Sequence, residues 1–200
     1  MFWDRAAVIY DLFADVYNRK VNQELCRLAC EQIQPDDNVL ECACGTGMIS
    51  VHIAPRCRHL TATDFSENMC RRARKKCSSF SNVEIRTADI LSLDFPDESF
   101  DVVIAANVIH LLDEPLKALA ELDRVCRKGG KLIIPTYMNK DKAKLMDQAI
   151  DRAGADFKYD FTYETYRAFL SEAGYRNVST QLIDGRVPCA FAVIQKENRH

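Results

Sequence analysis

The chain has 200 residues, 48% of them hydrophobic, and a formal net charge of −2. That length suits one domain with a sizeable buried core, and the charge offers no electrostatic footprint for a nucleic acid. No apolar run reaches the ~18 residues that a membrane helix needs, and Asp4 and Arg5 break the opening stretch, which makes it a poor secretion signal.

The nine cysteines are odd in number and contain no CxxC pair. Metal sites favour such pairs in matched sets, so no metal is expected. Free cysteine packs as a small hydrophobe, and the reading is of buried thiols in a reducing, cytoplasmic compartment. The basic run Arg71, Arg72, Arg74, Lys75 and Lys76 reads as the solvated face of a helix.

Helical spacing of apolar residues runs from Phe2 to Gln34 and predicts two helices parted near Asn18. Strands and helices then alternate. Asn38 to Cys42, His59 to Thr63, Val83 to Thr87 and Phe100 to Ala106 read as strands. Between them, Thr46 to Ala54 reads as a helix, and Ser66 caps another that runs to about Cys77. Asp113 to Cys126 reads as a helix stopped by Gly129 and Gly130, followed by a strand from Lys131 to Pro135. Two more helices are expected near Asp141 to Ala153 and Tyr163 to Ala173. Two strands, Asn177 to Ile183 and Cys189 to Ile194, close the chain, too near each other to pair other than antiparallel. This is an α/β chain with a Rossmann-like, seven-stranded, mostly parallel sheet, helices on both faces and an antiparallel C-terminal hairpin.

The informative segment is Val39 to Gly47, a strand running into the turn Ala43-Cys44-Gly45-Thr46-Gly47. Glycines there let backbone approach a ligand, and open α/β sheets bind ligands beyond the carboxyl ends of their strands. Asp64 ends the second strand, where an acid can accept from two ribose hydroxyls. Asp89 follows the third strand and can accept from an adenine amino group. A dinucleotide fold wants a third motif glycine, and Ser50 stands there instead. Glu41, ending the first strand, suits a cationic ligand better than a pyrophosphate.

The segments ECACGTG at Glu41 to Gly47, ATDFS at Ala62 to Ser66, TADI at Thr87 to Ile90, FPDESFDVVIAANVIHLL at Phe95 to Leu112 and ELDRVCRKGGKLII at Glu121 to Ile134 resemble the class I S-adenosylmethionine-dependent methyltransferases. The resemblance spans about Tyr10 to Ile194 and is nearest the small-molecule, quinone-biosynthesis-like branch. It implies S-adenosylmethionine as cofactor, with Glu41, Ala43, Cys44, Gly45 and Gly47 at its methionine part, and Asp64 at the ribose. It further implies Phe65, Met69, Asp89 and Ile90 around the adenine, Asn107 at the methionine end, and Tyr10 and Tyr17 as lid tyrosines. Residues 1–34 would be a helical lid on a core of residues 35–200, all one domain. The family's first motif glycine is Ala43 here, which resists positive φ. The Asn/Asp-Pro-Pro-Tyr motif of enzymes that methylate exocyclic base amines is replaced by Ala105-Ala106-Asn107-Val108.

His110 follows the fourth strand and reads either as a general base or as a brace for its loop. Tyr137 either lines the acceptor pocket or packs. Arg186 either meets an anionic substrate or is a solvated hairpin residue, and Cys189 either serves a thiol or metalloid acceptor or is a buried strand residue. The aromatics Phe157, Tyr159, Phe161 and Tyr163 either wall an apolar acceptor site or hold their segment on the sheet. The expectation is a methyltransferase acting on a small-molecule acceptor. A non-catalytic module of the same fold is the alternative.

Overall fold

A computed structural model of the chain describes residues 17–138 and 158–197. Helix α1 (Arg19–Glu31) leads into β1 (Asn38–Cys42), α2 (Ser50–Ile53), a 3-10 turn (Ala54–Arg56), β2 (His59–Asp64), α3 (Glu67–Lys76) and β3 (Val83–Thr87). Next come β4 (Phe100–Ala105), a 3-10 turn (Ile109–Leu111), α4 (Pro115–Val125), β5 (Cys126–Ile133) and β6 (Thr136–Tyr137). The remainder is α5 (Tyr163–Glu172), β7 (Val178–Ile183) and β8 (Cys189–Gln195).

The sheet runs β3-β2-β1-β4-β5-β8, the first five strands parallel and β8 antiparallel. One edge of β8 pairs with β5 and β6, and the other with β7. The strand order reverses between β1 and β4. There, neighbouring connections leave on opposite faces and open a crevice. The eighth strand arises from Pro135, which has no N–H to donate. It ends the strand expected from Lys131, which is the last part of β5, and β6 follows beyond it, both held by β8.

Side-chain alternation builds a core on each face of this sheet. Leu40, Val103 and Leu132 join Leu119 and Leu122 of α4 and Tyr166 and Leu170 of α5. Val39, Ile104 and Ile133 face the other way, against Val21, Leu25 and Ala29 of α1 and Ile53 of α2. Alpha-helical spacing puts Val21, Leu25, Leu28 and Ala29 on one buried stripe of α1. Helix α1 thus packs on the sheet. Ser66 caps α3 by accepting from the N–H of Met69 at 3.3 Å, and Thr162 caps α5 through a reciprocal capping box with Thr165.

Three expectations need correction. The helix expected from Thr46 to Ala54 is a turn followed by the four-residue α2, because the positive φ of Gly47 (82°) falls where a helix would begin. Helix α4 starts at Pro115 and stops at Val125, and Gly129 and Gly130 lie inside β5 rather than ending a helix. The register of β4 against β5 shifts between Phe100 and Val102 at that point, as at a bulge. The helix expected near Asp141 to Ala153 lies outside the described residues.

The two glycines after α4 and α5 make a paired test. A Cβ on Gly130 would sit 2.7 Å from the Asp101 carbonyl oxygen and 2.9 Å from that of Arg127. Gly174 has φ 95° but nothing within 4 Å of a Cβ. Gly130→Ala should lower the urea-unfolding free energy by about 2–3 kcal/mol, since main chain must move. Gly174→Ala should cost about 1 kcal/mol, from backbone conformation alone.

Candidate active site

The turn after β1 is held by backbone contacts to β2. The Cys44 N–H donates to the Thr63 carbonyl at 2.9 Å. The Gly45 N–H donates to one Asp64 carboxylate oxygen at 2.9 Å, and the Ser66 N–H to the other at 2.9 Å. One side chain therefore ties the first turn to the cap of α3. Gly47 lies against α3, where an added Cβ would meet Ala73 at 3.2 Å. Ala43, Gly45 and Gly47 all have positive φ, at 53°, 55° and 82°. The alanine that replaces the expected glycine thus carries the strain anticipated for it, about 1–2 kcal/mol for an L residue in this region.

Beyond the strand tips lies an open cleft of about 350 Å³, within the size range of small-molecule sites. The structure brings Ala43, Gly45, Asp64, Phe65, Met69, Asp89, Ile90 and Asn107 together on its walls. Phe65 is 56% exposed and forms a rim, while Met69 is buried beneath. Asp89 accepts from the Leu91 N–H at 2.9 Å, which folds the segment after β3 back on itself. Asn107 has φ 54°, a conformation asparagine tolerates, and its N–H donates to the Pro135 carbonyl at 2.8 Å. Thr63, Ala88, Leu91, Leu111 and Leu112 also line the cleft, and sequence reasoning proposed none of them. An apolar wall residue carries no signal that separates it from core.

Other proposed residues stand apart from those walls. Glu41, Cys44 and Gly47 are not among the residues that line the cleft. Tyr17 is 39% exposed and lies under the Arg186 guanidinium, 5.0 Å from its ring centre. Tyr10 and Phe157 fall outside the described residues. Tyr137 donates to the Asn22 side-chain oxygen at 2.7 Å, and its ring is 6.4 Å from that of His110. His110 is 2% exposed, and burial pushes its pKa down to about 4. Its carbonyl accepts from the N–H groups of Lys158 at 3.0 Å and Tyr159 at 3.2 Å. Phe161 packs with Tyr166 and Phe169 under α5, so at least this part of the aromatic cluster is core packing. Cys189 is fully buried.

Glu41 is 2% exposed and accepts from the Ser50 hydroxyl at 2.6 Å. Burial raises its pKa to about 8, the Ser50 hydrogen bond opposes that, and nearby Asp64 adds to it.

The methyltransferase domain family matches residues 40–134, the stretch that carries the turn, β1 to β5 and the cleft. That stretch is similar to the class I S-adenosylmethionine-dependent methyltransferase domains. The chain is 38% identical over 123 residues to a phosphatidylethanolamine N-methyltransferase of Cereibacter sphaeroides, covering 60% of this chain and 59% of that protein. It is 32% identical over 139 residues to a demethylmenaquinone methyltransferase of Clavibacter sepedonicus, covering 65% and 57%. The chain thus spans less than three-fifths of these curated relatives. Solved methyltransferases share the fold. One from Thermotoga maritima has a TM-score of 0.73 at 21% identity, covering 98% and 99% of the two chains. Another from Aquifex aeolicus has a TM-score of 0.70 at 20% identity, covering 96% and 98%.

The cofactor that this match implies is S-adenosylmethionine. The residues present fit it. Positive-φ backbone allows close approach, carboxylates stand at the tips of β2 and β3, and the walls between them are largely apolar.

Two stability measurements probe the site. Ala43→Gly should raise the unfolding free energy by about 0.5–1 kcal/mol, the relief of left-handed strain less the extra chain entropy of glycine. Glu41 has a folded pKa raised above its ordinary value, so its contribution is full below about pH 4.5 and lost as pH rises through about 8. Glu41→Gln keeps an acceptor for Ser50 and removes the ionisation. Between about pH 5 and pH 8 the wild type should lose on the order of 3 kcal/mol more than the variant in urea titrations.

Proposed function

We propose that this chain transfers a methyl group from S-adenosylmethionine to a small-molecule acceptor. The reading is carried by one observation: the positive-φ turn after β1 and the carboxylates of Asp64 and Asp89 converge on a single cleft at the reversal of strand order. When bound, the cofactor supplies an electrophilic methyl group on a sulfonium.

The chain's residues bind and orient. Asp64, which takes the Gly45 and Ser66 amides, stands at the tip of β2 where ribose hydroxyls would be met. Asp89 stands where an exocyclic amine would be met, with Phe65, Met69 and Ile90 flanking the base. The turn residues Ala43, Cys44, Gly45 and Gly47, with Glu41 behind them, shape the methionine end beside Asn107. Orientation for in-line attack can contribute ~7–11 kcal/mol, so transfer needs no strong acid or base from the protein. His110 stays neutral above about pH 5, its pKa being held near 4 by burial. It acts as a brace through its carbonyl unless an acceptor proton reaches the ring. Tyr137 belongs to the acceptor side, across β8 from β7.

The activities of the relatives support an acceptor of quinol or lipid-headgroup type. Acidic groups, not a basic groove, mark the cleft, which favours a small molecule over a nucleic acid. No helix among the described residues is long and apolar enough to cross a membrane. The nine thiols are uncrosslinked and nearly all buried, which supports a reducing, cytoplasmic setting.

Calorimetric titration with S-adenosylhomocysteine is the direct test. Asp64→Ala should weaken binding at least tenfold, because hydrogen bonds to a charged group contribute about 1.5–3 kcal/mol each, and Asp89→Ala should weaken it less. Absence of affinity in the wild type for both the cofactor and its demethylated product would defeat the reading.

A further inference from the structure

We propose that Arg186, in the turn between β7 and β8, recognises an oxyanion, phosphate or carboxylate, on the methyl acceptor. The inference rests on the methyltransferase reading above and narrows its substrate class.

The turn stands on the same edge of the sheet as the cleft. Strands β1 and β4 end at Cys42 and Ala105, below the cleft. Strand β8 runs the opposite way, so its first residue, Cys189, pairs with Tyr137 of β6 and Ile183 of β7 at that edge. The Cys189 thiol donates to the Asn107 side-chain oxygen at 3.9 Å, and Asn107 lines the cleft. Arg186 precedes Cys189 by three residues, at most about 10 Å of chain.

The turn is also fixed. Asn18, 2% exposed, donates to the Val187 carbonyl at 2.9 Å and accepts from the Val187 N–H at 3.2 Å. Gly185 lies so close to α1 that a Cβ would fall 2.2 Å from a Val21 methyl. The Arg186 guanidinium lies over the Tyr17 ring. Stacking covers its flat face and leaves the in-plane N–H fork to accept an oxyanion in bidentate fashion. Among the described residues no carboxylate is within ion-pair distance of Arg186, whereas Arg74 and Arg124 are each paired with acids. Nearby, the Tyr137 hydroxyl and the buried Asn22 form a hydrogen-bonded wall. That wall and a preset cation suit an ionised head better than an uncharged ring.

The test titrates protein loaded with S-adenosylhomocysteine at low ionic strength. The probes are O-phosphoethanolamine, β-alanine and ethanolamine: one amine with a phosphate, a carboxylate or neither. Either or both anions should bind, which identifies the oxyanion, and ethanolamine should bind at least tenfold more weakly. Arg186→Gln should weaken anion binding at least tenfold and leave the affinity for S-adenosylhomocysteine unchanged, which also shows that the variant is folded. Arg176→Gln, an exposed cation at the far end of β7, should change neither. The inference is overturned if neither anion binds, if Arg186→Gln binds them as wild type does, if ethanolamine binds equally, or if Arg176→Gln has the same effect. Failure of S-adenosylhomocysteine itself to bind would instead overturn the methyltransferase reading.

Discussion

The carboxylate of Asp64 is the joint on which the site turns. Its two oxygens take N–H groups from two separate connections, Gly45 after β1 and Ser66 before α3. Charge-assisted bonds of this kind are among the stronger ones available to a protein. They set the height of the turn over β2 and the start of the helix that packs behind it. With Gly47 against Ala73 on the other side, the turn is constrained from two directions. Such over-determination is what lets a non-glycine residue persist at the left-handed φ of Ala43.

Most of the architecture was readable because strands buried on both faces leave continuous apolar runs, as at Val102, Val103 and Ile104, and caps such as Ser66 mark helix starts. What failed was local. Gly129 and Gly130 look like a helix stop, yet inside β5 Gly129 supplies a positive φ of 69° and Gly130 a close main-chain approach, a tertiary fact with no local pattern. Thr46 to Ala54 has helical composition, but the turn that grips β2 uses up its first residues.

The site divides the same way. Polar residues at strand tips, Asp64, Asp89 and Asn107, announced themselves and now meet at one cleft. Leu91, Leu111 and Leu112 did not, since nothing in an apolar side chain tells whether it faces a ligand or a neighbour. Position after a strand left His110 open between base and brace. The 3-10 turn at Ile109–Leu111 takes the ring inward, where the low dielectric keeps it uncharged.

The clasp of Asn18 on Val187 joins residues 169 apart in sequence. Every described residue that lines the cleft precedes Asp113, so the segments that form it are synthesised early. The clasp cannot form until the ribosome has released the hairpin. Contacts of such separation are slow to form. A nascent chain therefore makes its cleft segments first and fixes the hairpin tip last, and any shortening of that tip would leave Asn18 without its partner.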